Sequence, residues 1–231
     1  MSTKDPMGDR MKNNYENPYR LHLPARMPMI IRLDGKAFHT LLKNAQKPFD
    51  KTVIEAMIAG ATYIMKEIGG SARFAYIQSD ECTIAINNYL NLESQAWFDN
   101  NLQKICSVSA SLMSVGFSSS FRQEAIFDSR VFVVPESELN NVVLWRQFDA
   151  SKNSISMYAQ SMFNHKELKG KKSNEMQEMM FAKNSFNWNN APTWTKRGII
   201  LKRTDQGLVE DWEIPKFSEN TNYLSDIFFS N

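Results

Sequence analysis

Acidic residues stand at two points of the chain where an apolar run gives way to a polar turn. Asp34 follows the compact apolar run Met27–Leu33, and Asp80 and Glu81 lie in a polar turn between two further short apolar runs. If these carboxylates meet, each raises the pKa of the others unless a cation lies between them. Mg²⁺ takes one or two carboxylates and leaves coordination positions for phosphate oxygens, so these acids predict a magnesium site.

The residues after Asp34 suit a phosphate group. The chain leaves a strand through Gly35, which exposes backbone N–H groups, and Lys36 and His39 follow as side-chain donors. Taken singly, these features have plain interpretations, because Asp-Gly pairs are common turns and a single histidine is usually structural. Their joint placement beside the acidic residues predicts a phosphate-binding loop.

The hydrophobic pattern predicts the elements that must position this chemistry. Apolar residues recur every three or four positions from Ile54 to Ile68, which indicates an amphipathic helix ended by Gly69 and Gly70. A second such helix is predicted from Phe98 to about residue 118. The predicted strands are Met27–Leu33, Arg73–Gln78, Cys82–Asn87 and Phe127–Val134. This order gives an α+β fold with the ferredoxin-like βαββαβ arrangement.

That topology predicts where the acidic residues meet. In the ferredoxin-like fold the first and third strands are antiparallel neighbours, so the end of one abuts the start of the other. Asp34 should therefore converge with Asp80 and Glu81 at one edge of the sheet. Converging carboxylates at such an edge are typical of two-metal nucleotidyl transfer.

The rest of the chain divides into an arm and an extension around this unit. Residues 1–25 are polar and predict an N-terminal arm, and 26–136 form the predicted catalytic domain. Residues 137–231 are predicted to form a helical and hairpin extension packed on that domain. Its predicted elements are helices at 137–148, 152–167 and 174–183 and a hairpin of Gly198–Arg203 with Leu208–Ile214.

Charge is unevenly distributed along the chain. The net charge is +2, but residues 151–203 carry ten basic and three acidic side chains. Residues 204–231 carry one basic and six acidic side chains. Such a basic segment indicates contact with a polyanion. The alternative is that lysines such as Lys166, Lys169, Lys171 and Lys172 merely solvate a helical face.

Composition excludes several classes of protein. A content of 42% hydrophobic residues excludes a wholly disordered chain. No apolar run is long enough to cross a bilayer, and the polar N-terminus lacks the core of a secretory signal. Two cysteines, Cys82 and Cys106, are too few for a disulfide framework. We expect a cytoplasmic protein with no membrane partner.

Ordered motifs make the sequence similar to the tRNA(His) guanylyltransferase superfamily from about Met29 to Leu201. They are Ile31–His39 (IRLDGKAFH), Lys47–Asp50 (KPFD), Gln78–Glu81 (QSDE), Phe127–Val131 (FDSRV), Trp145–Gln147 (WRQ), Phe181–Lys183, Asn187–Asn189 and Lys196–Gly198. The resemblance implies a 3′–5′ polymerase that adds nucleotides to an RNA 5′ end with a polymerase-type palm domain.

The resemblance also implies a role for each matching residue. Asp34, the Gly35 carbonyl and Asp80 would hold two Mg²⁺ ions, with Glu81 supporting the catalytic site. The implied nucleotide contacts are Lys36, Ala37, Phe38 and His39 for the triphosphate, and Lys47, Asp50, Ser79 and Lys104 for the activating nucleotide. The implied contacts to RNA or to the incoming nucleotide are Arg130, Asn153 and Lys183. On a structural interpretation, Lys47 and Lys104 are solvated charges and Asn153 is a helix cap.

The motif after Trp-Arg-Gln departs from the guanylyltransferases proper. Those enzymes carry a His-Ile-Asn-Asn-Leu-Tyr-Asn stretch, whereas this chain has Ser151 in place of the histidine and keeps only the first asparagine, Asn153. Ser129 and Phe49 also differ from the usual Gly and Asn. The resemblance therefore implies the guanylyltransferase-like branch, which repairs truncated tRNA 5′ ends by template-directed addition.

The implied reaction has two stages. ATP adenylylates a 5′-monophosphate RNA end, and a 5′-triphosphate end needs no activation. The 3′-hydroxyl of GTP or another nucleoside triphosphate then attacks the activated phosphate, and AMP or pyrophosphate leaves. The family resemblance further implies a homotetramer.

Three alternatives remain open at the sequence level. One is a tRNA(His) guanylyltransferase proper, and another is a nucleotidyl cyclase, which shares the topology but needs no RNA. The third is a non-catalytic RNA-recognition module, which stacks bases on aromatic residues of its first and third strands. The predicted strands Met27–Leu33 and Cys82–Asn87 contain no aromatic residue, which disfavours that module.

Overall fold

A six-stranded antiparallel sheet forms the centre of the computed structural model, which describes residues 5–230. The strand order is β4-β1-β3-β2-β5-β6, with strands β1 Met29–Gly35, β2 Ala72–Gln78, β3 Glu81–Ile86, β4 Phe127–Val133, β5 Ile199–Thr204 and β6 Gly207–Asp211. The helices are α1 Pro6–Met11, α2 Phe38–Leu41, α3 Lys51–Ile68, α4 Leu102–Phe121, α5 Leu139–Met162, α6 His165–Leu168, α7 Ser173–Asn184, α8 Thr193–Arg197 and α9 Tyr223–Phe229.

The first four strands with α3 and α4 confirm the predicted βαββαβ arrangement and the α+β class. Helices α3 and α4 cover one face of the sheet. Helix α3 begins where Asp50 accepts a hydrogen bond from the Thr52 N–H and ends at Gly69, whose φ is 78°. Its buried stripe packs on the odd-numbered residues of β1, including Ile31 and Leu33.

The opposite face of the sheet packs on the C-terminal part of the chain. Leu139 and Val143 of α5 and Phe228 of α9 join Ile30 and Tyr76 of the sheet in a second core. The hairpin β5–β6 is paired with β2, so the sheet continues beyond residue 136, where the sequence division placed the end of the catalytic unit. The C-terminal residues are thus a structural part of the sheet.

A third, smaller core holds the basic segment. It lies among the second half of α5, α6 and α7 and consists of Ile155, Tyr158, Ala159, Leu168, Met180 and Ala191. The lysines at 166, 169, 171 and 172 are exposed around it. These lysines therefore form a solvated basic surface on a packed helical support.

Two local predictions were wrong. The predicted helices 137–148 and 152–167 are one continuous helix, α5, which ends at Met162. The helix continues through the predicted break because Asp149 pairs with Arg146 and Ala150 is buried in the second core. Phe98 is not on α4, because it lies in a left-handed turn with φ 50° and α4 begins after Asn101. The described part of the N-terminal arm contains helical turns, starting where the Asp5 side chain accepts from the Gly8 N–H.

No helix within residues 5–230 is long and apolar enough to cross a membrane.

Helices α3 and α4 approach each other closely at two glycines. A Cβ on Gly116 would lie 2.8 Å from the Gly60 Cα, a backbone atom. We predict that Gly116→Val lowers the free energy of unfolding by about 1–3 kcal/mol through overpacking. Gly70→Val is the control, since a Cβ there meets nothing within 4 Å. Urea unfolding of both variants checks this, and equal midpoints would contradict it.

Candidate active site

The predicted acidic residues meet at one edge of the sheet. Asp34 on β1 is directly opposite Glu81 on β3, and the Gly35 N–H donates to the Asp80 carbonyl over 3.1 Å. Asp80 itself lies in the two-residue turn between β2 and β3, where Ser79 has a φ of 49°. This positive φ is uncommon for a residue other than glycine and marks a turn held by its surroundings.

The environment of this edge disfavours ionising both Asp34 and Asp80 when no cation is bound. Burial raises the pKa of Asp80, and the nearby charge of Asp34 raises it further, against hydrogen bonds from its own backbone and from Ser79. Negative charge at this position therefore destabilises the protein unless a cation neutralises it. The donors available to such a cation are carboxylate oxygens and the Gly35 backbone carbonyl.

Glu81 is engaged by a partner that sequence reasoning did not assign. The Nε and Nη2 atoms of Arg146 on α5 donate to its two carboxylate oxygens, each over 2.6 Å, and Nη1 donates to Asp149 over 2.7 Å. Both side chains of the Glu81–Arg146 pair are only 9% exposed. Burial raises the pKa of Glu81, and the Arg146 guanidinium opposes that rise. Glu81 thus supports the edge by fixing it to α5.

The donor set suits a hard cation. Within residues 5–230, no group of three or more His, Cys, Asp or Glu side chains could hold a metal. The set that remains has only oxygen donors, the Asp34 and Asp80 carboxylates with one backbone carbonyl. Oxygen donors of this number fit Mg²⁺, which keeps positions for water and phosphate.

The predicted phosphate loop is held in shape by Phe38. A Cβ on Gly35 would lie 2.3 Å from the Phe38 ring, so only glycine fits there. Phe38 is buried against Phe117 and Phe127 at centroid distances of 5.2 and 5.1 Å. Ala37 has φ 57°, so the chain turns at a left-handed residue just before α2, and the Lys36 N–H donates to the Ile126 carbonyl over 2.8 Å. Lys36 and His39 are exposed beside this turn.

A pocket next to this edge collects four of the predicted contact residues. Lys47, Asp50, Ser79 and Asn153 all line it, and its volume is about 640 Å³ including its open mouth. Its apolar wall consists of Phe49, Val53, Ile54, Ala150, Met157 and Trp194.

The loop before α3 is shaped by Asp50. Its carboxylate accepts from the Gln46 N–H over 2.9 Å and from both the N–H and the hydroxyl of Thr52, and these bonds hold its pKa below the usual value. Lys47 donates to the Leu42 carbonyl over 3.1 Å. Phe49, which differs from the usual family residue, packs edge-on against Trp194 at 5.8 Å. Asp50 therefore organises the pocket wall.

Three predicted contacts lie apart from this pocket. Lys104 is near the start of α4, at the end of the sheet opposite Asp34, with its Nζ 5.9 Å from the Phe98 ring. Lys183 on α7 donates to the Met162 carbonyl over 2.5 Å. Arg130 lies on the outer strand β4 beside Asp128, at 3.4 Å. These three residues do not line the pocket, and Arg130 lies opposite Arg32 on the strand paired with β1.

The position of the substituted histidine contacts α8. The Ser151 hydroxyl donates to the Lys196 carbonyl over 3.1 Å and so fixes α5 to the end of α8. Asn153, two residues later, is exposed at the pocket.

Two functional side chains, Arg146 and Gln147, were missed as individual residues although their motif was recognised. Gln147 donates to the Pro215 carbonyl and accepts from the Phe217 N–H, which anchors the C-terminal segment on α5. No local signal in the sequence assigns Arg146 a partner, and the fold identifies it as Glu81.

Neutralising Asp80 should stabilise the metal-free protein. The pKa of Asp80 is higher in the folded protein than in the unfolded chain. The folded state therefore loses stability relative to the unfolded state as the pH rises through these two pKa values and Asp80 ionises. We predict that Asp80→Asn raises the melting temperature by a few degrees at neutral pH without Mg²⁺. Added Mg²⁺ should stabilise the wild type and not this variant. Asp205→Asn in the β5–β6 turn is the control, and a lower melting temperature for Asp80→Asn would contradict the account.

Removing Arg146 should leave Glu81 buried without a counter-charge. We predict that Arg146→Met costs about 3–5 kcal/mol in unfolding free energy, whereas Glu81→Leu combined with Arg146→Met costs much less. Denaturant unfolding of the two variants makes the comparison. A single variant as stable as wild type would show that the pair does not hold the edge.

Comparisons with known proteins agree with this geometry. Residues 8–135 match the profile of Thg1, tRNAHis guanylyltransferase. A bacterial tRNA(His) guanylyltransferase (Thg1)-like protein in complex with ATP is 44% identical with a TM-score of 0.93, covering 97% of this chain and all of that one. One in complex with GTP is 42% identical with a TM-score of 0.84, covering 98% of this chain and all of that one.

A relative from an animal is more distant. The probable tRNA(His) guanylyltransferase of Drosophila melanogaster is 29% identical over 196 residues, which are 76% of this chain and 66% of that protein. The profile match, the bacterial structures and the acidic edge on a βαββαβ sheet agree with one another. The chain belongs to the tRNA(His) guanylyltransferase family and is a nucleotidyltransferase.

Proposed function

We propose that this protein adds nucleotides to the 5′ end of tRNA in the 3′–5′ direction and repairs truncated 5′ ends by copying the opposite strand. The observation that carries the proposal is the position of the pocket. Ser79 lines it and immediately precedes Asp80 at the acidic edge, so a nucleotide in the pocket would have its phosphates next to Asp80.

Known relatives support nucleoside triphosphates as substrates. The bacterial proteins that match 97% and 98% of this chain are in complex with ATP and with GTP. The pocket has the mixture of apolar walls and few polar groups that binds a purine base with its ribose. We propose ATP as the activating nucleotide and GTP or another triphosphate as the nucleotide added.

The acidic edge would hold two Mg²⁺ ions through Asp34, Asp80 and the Gly35 carbonyl. When bound, the metal ions acidify the attacking hydroxyl and neutralise charge on the triphosphate. The chain's own residues orient the reactants. The exposed side chains of Lys36 and His39, on either side of the left-handed turn at Ala37, bind triphosphate oxygens. Glu81 stays with Arg146 and keeps the edge in place.

The reaction needs little proton transfer by side chains. The 3′-hydroxyl oxygen of the incoming nucleotide forms a bond to the activated 5′ phosphorus of the RNA. The bond from that phosphorus to AMP or pyrophosphate breaks, and the hydroxyl proton passes to solvent. Positioning of the two reactants at the edge supplies the main rate enhancement.

Ser151 favours repair over addition to tRNA(His) alone. By the resemblance, the guanylyltransferases proper have a histidine at this position. Here the shorter Ser151 side chain donates its hydroxyl hydrogen bond to the Lys196 carbonyl. We propose that the chain lacks the histidine contact and accepts several tRNA species. The basic surface on α6 and α7 would bind tRNA phosphates without reading sequence.

A 5′-extension assay tests the proposal. The substrates are a tRNA lacking its first nucleotide, with either a 5′-monophosphate or a 5′-triphosphate, and a tRNA(His) in the same two forms. We predict that wild type adds the nucleotide complementary to the template and that Asp34→Asn and Asp80→Asn each reduce the rate by at least about 100-fold. Asp205→Asn should retain wild-type activity.

The outcomes separate the alternatives. Extension of tRNA(His) only would indicate a guanylyltransferase proper. Formation of cyclic nucleotide without RNA would indicate a cyclase. Binding of RNA without extension of either 5′ form would contradict the enzyme proposed here.

A further inference from the structure

Trp145 is a large aromatic side chain that α5 leaves 48% exposed. Its neighbours Arg146 and Gln147 are buried and have assigned partners. Phe148, one turn further on, is 51% exposed. Residues three apart share a side of a helix, so α5 presents two aromatic rings on one side.

This side of α5 faces the strand that carries Asp34. The guanidinium carbon of Arg32 lies 5.3 Å from the centre of the Trp145 ring, and that of Arg146 lies 4.5 Å from it. Arg32 is two residues before Asp34 on β1, on the same face of the sheet and roughly 7 Å from it along the strand. Trp145 therefore stands beside the acidic edge.

The sheet next to Trp145 is open. In register, Arg130 of β4 is opposite Arg32 and Asp128 is opposite Asp34, so all four side chains lie on this face. Arg130 and Asp128 are exposed. We call this surface the α5 groove, with Arg32, Asp34 and Arg130 as its floor and Trp145 as its wall.

Apart from the Trp145 ring, the Arg32 guanidinium has no hydrogen-bond or ion-pair partner in the described chain. Among residues 5–230 it forms no hydrogen bond or ion pair, and its Nε is buried without an acceptor. Arginines directly opposite each other across two strands are unfavourable by themselves. A bound phosphate would relieve both conditions, since a guanidinium binds phosphate oxygens well.

We propose that Trp145 stacks on a nucleobase at the reacting end while Arg32 contacts its phosphate. An aromatic ring beside arginines is the combination that binds nucleic-acid strands without sequence preference. The base has two sources, the incoming nucleoside triphosphate and the 5′-terminal nucleotide of the RNA. This inference rests on the proposed function and makes Trp145 a residue that positions its substrate.

The test compares three variants of Trp145. Trp145→Phe keeps an aromatic face, Trp145→Leu keeps apolar bulk alone, and Trp145→Ala removes both. Tyr63→Ala is the control, because Tyr63 is similarly exposed at 46% on α3, on the other face of the sheet. KM and kcat are measured separately for a 5′-triphosphorylated RNA and for the nucleoside triphosphate.

We expect the Leu and Ala variants to raise one of the two KM values by about 5- to 150-fold, the loss expected for one stacked base. The KM that rises identifies the source of the base. The Phe variant and Tyr63→Ala should stay near wild type, with kcat changed less than KM. Unchanged KM values in the Ala variant of an active enzyme would overturn the inference and leave the proposed function standing.

A fluorescence measurement tests stacking without catalysis. The probe is 2-aminopurine, placed either at the RNA 5′ terminus or in the incoming triphosphate. Wild type and Trp145→Phe should quench one probe on binding, and Trp145→Leu should not. Equal quenching by all variants would overturn the inference. It would also be overturned if the Phe and Leu variants raised KM equally and both had lowered melting temperatures. Failure of wild type to extend any RNA would contradict the proposed function alone, since quenching is read without extension.

Discussion

The buried ion pair between Glu81 and Arg146 connects the two halves of this protein. Glu81 is the first residue of β3 and Arg146 lies in the first half of α5, so the pair fixes the helix to the sheet edge where Asp34 and Asp80 meet. A buried charge pair gains little stability over apolar residues, but its geometry is specific. Arg146 is oriented further by Asp149, and its neighbour Gln147 anchors the C-terminal segment. One turn of α5 therefore sets the position of much of the site.

The two surfaces that we propose as binding sites are positioned by α5. On one side of Arg146, Ala150, Asn153 and Ser154 line the pocket with the loop that Asp50 organises. On the other side, Trp145 stands over the open face of β1 and β4. The acidic edge lies between these surfaces. An acidic edge between two surfaces is the arrangement that the proposed reaction, which joins two nucleotides, requires.

The fold was largely predictable because its elements have strong local signals. The helical spacing from Ile54 to Ile68 and the glycines after it fixed the limits of α3. The convergence of Asp34 with Asp80 followed from topology alone, since antiparallel neighbours share an edge. The continuity of α5 was not predictable, because polar residues at 149–153 interrupt its apolar pattern and their partners are distant in sequence. The role of Arg146 and the position of Lys104 at the other end of the sheet were not predictable either, because both depend on residues distant in sequence.

The most direct measurement of the central claim is the anomalous scattering of Mn²⁺ in crystals grown with a non-hydrolysable ATP analogue. The account predicts Mn²⁺ peaks at the carboxylates of Asp34 and Asp80, with the nucleotide in the pocket lined by Lys47 and Ser79. A nucleotide bound elsewhere would contradict the account. A nucleotide in the pocket without Mn²⁺ at these carboxylates would contradict it as well.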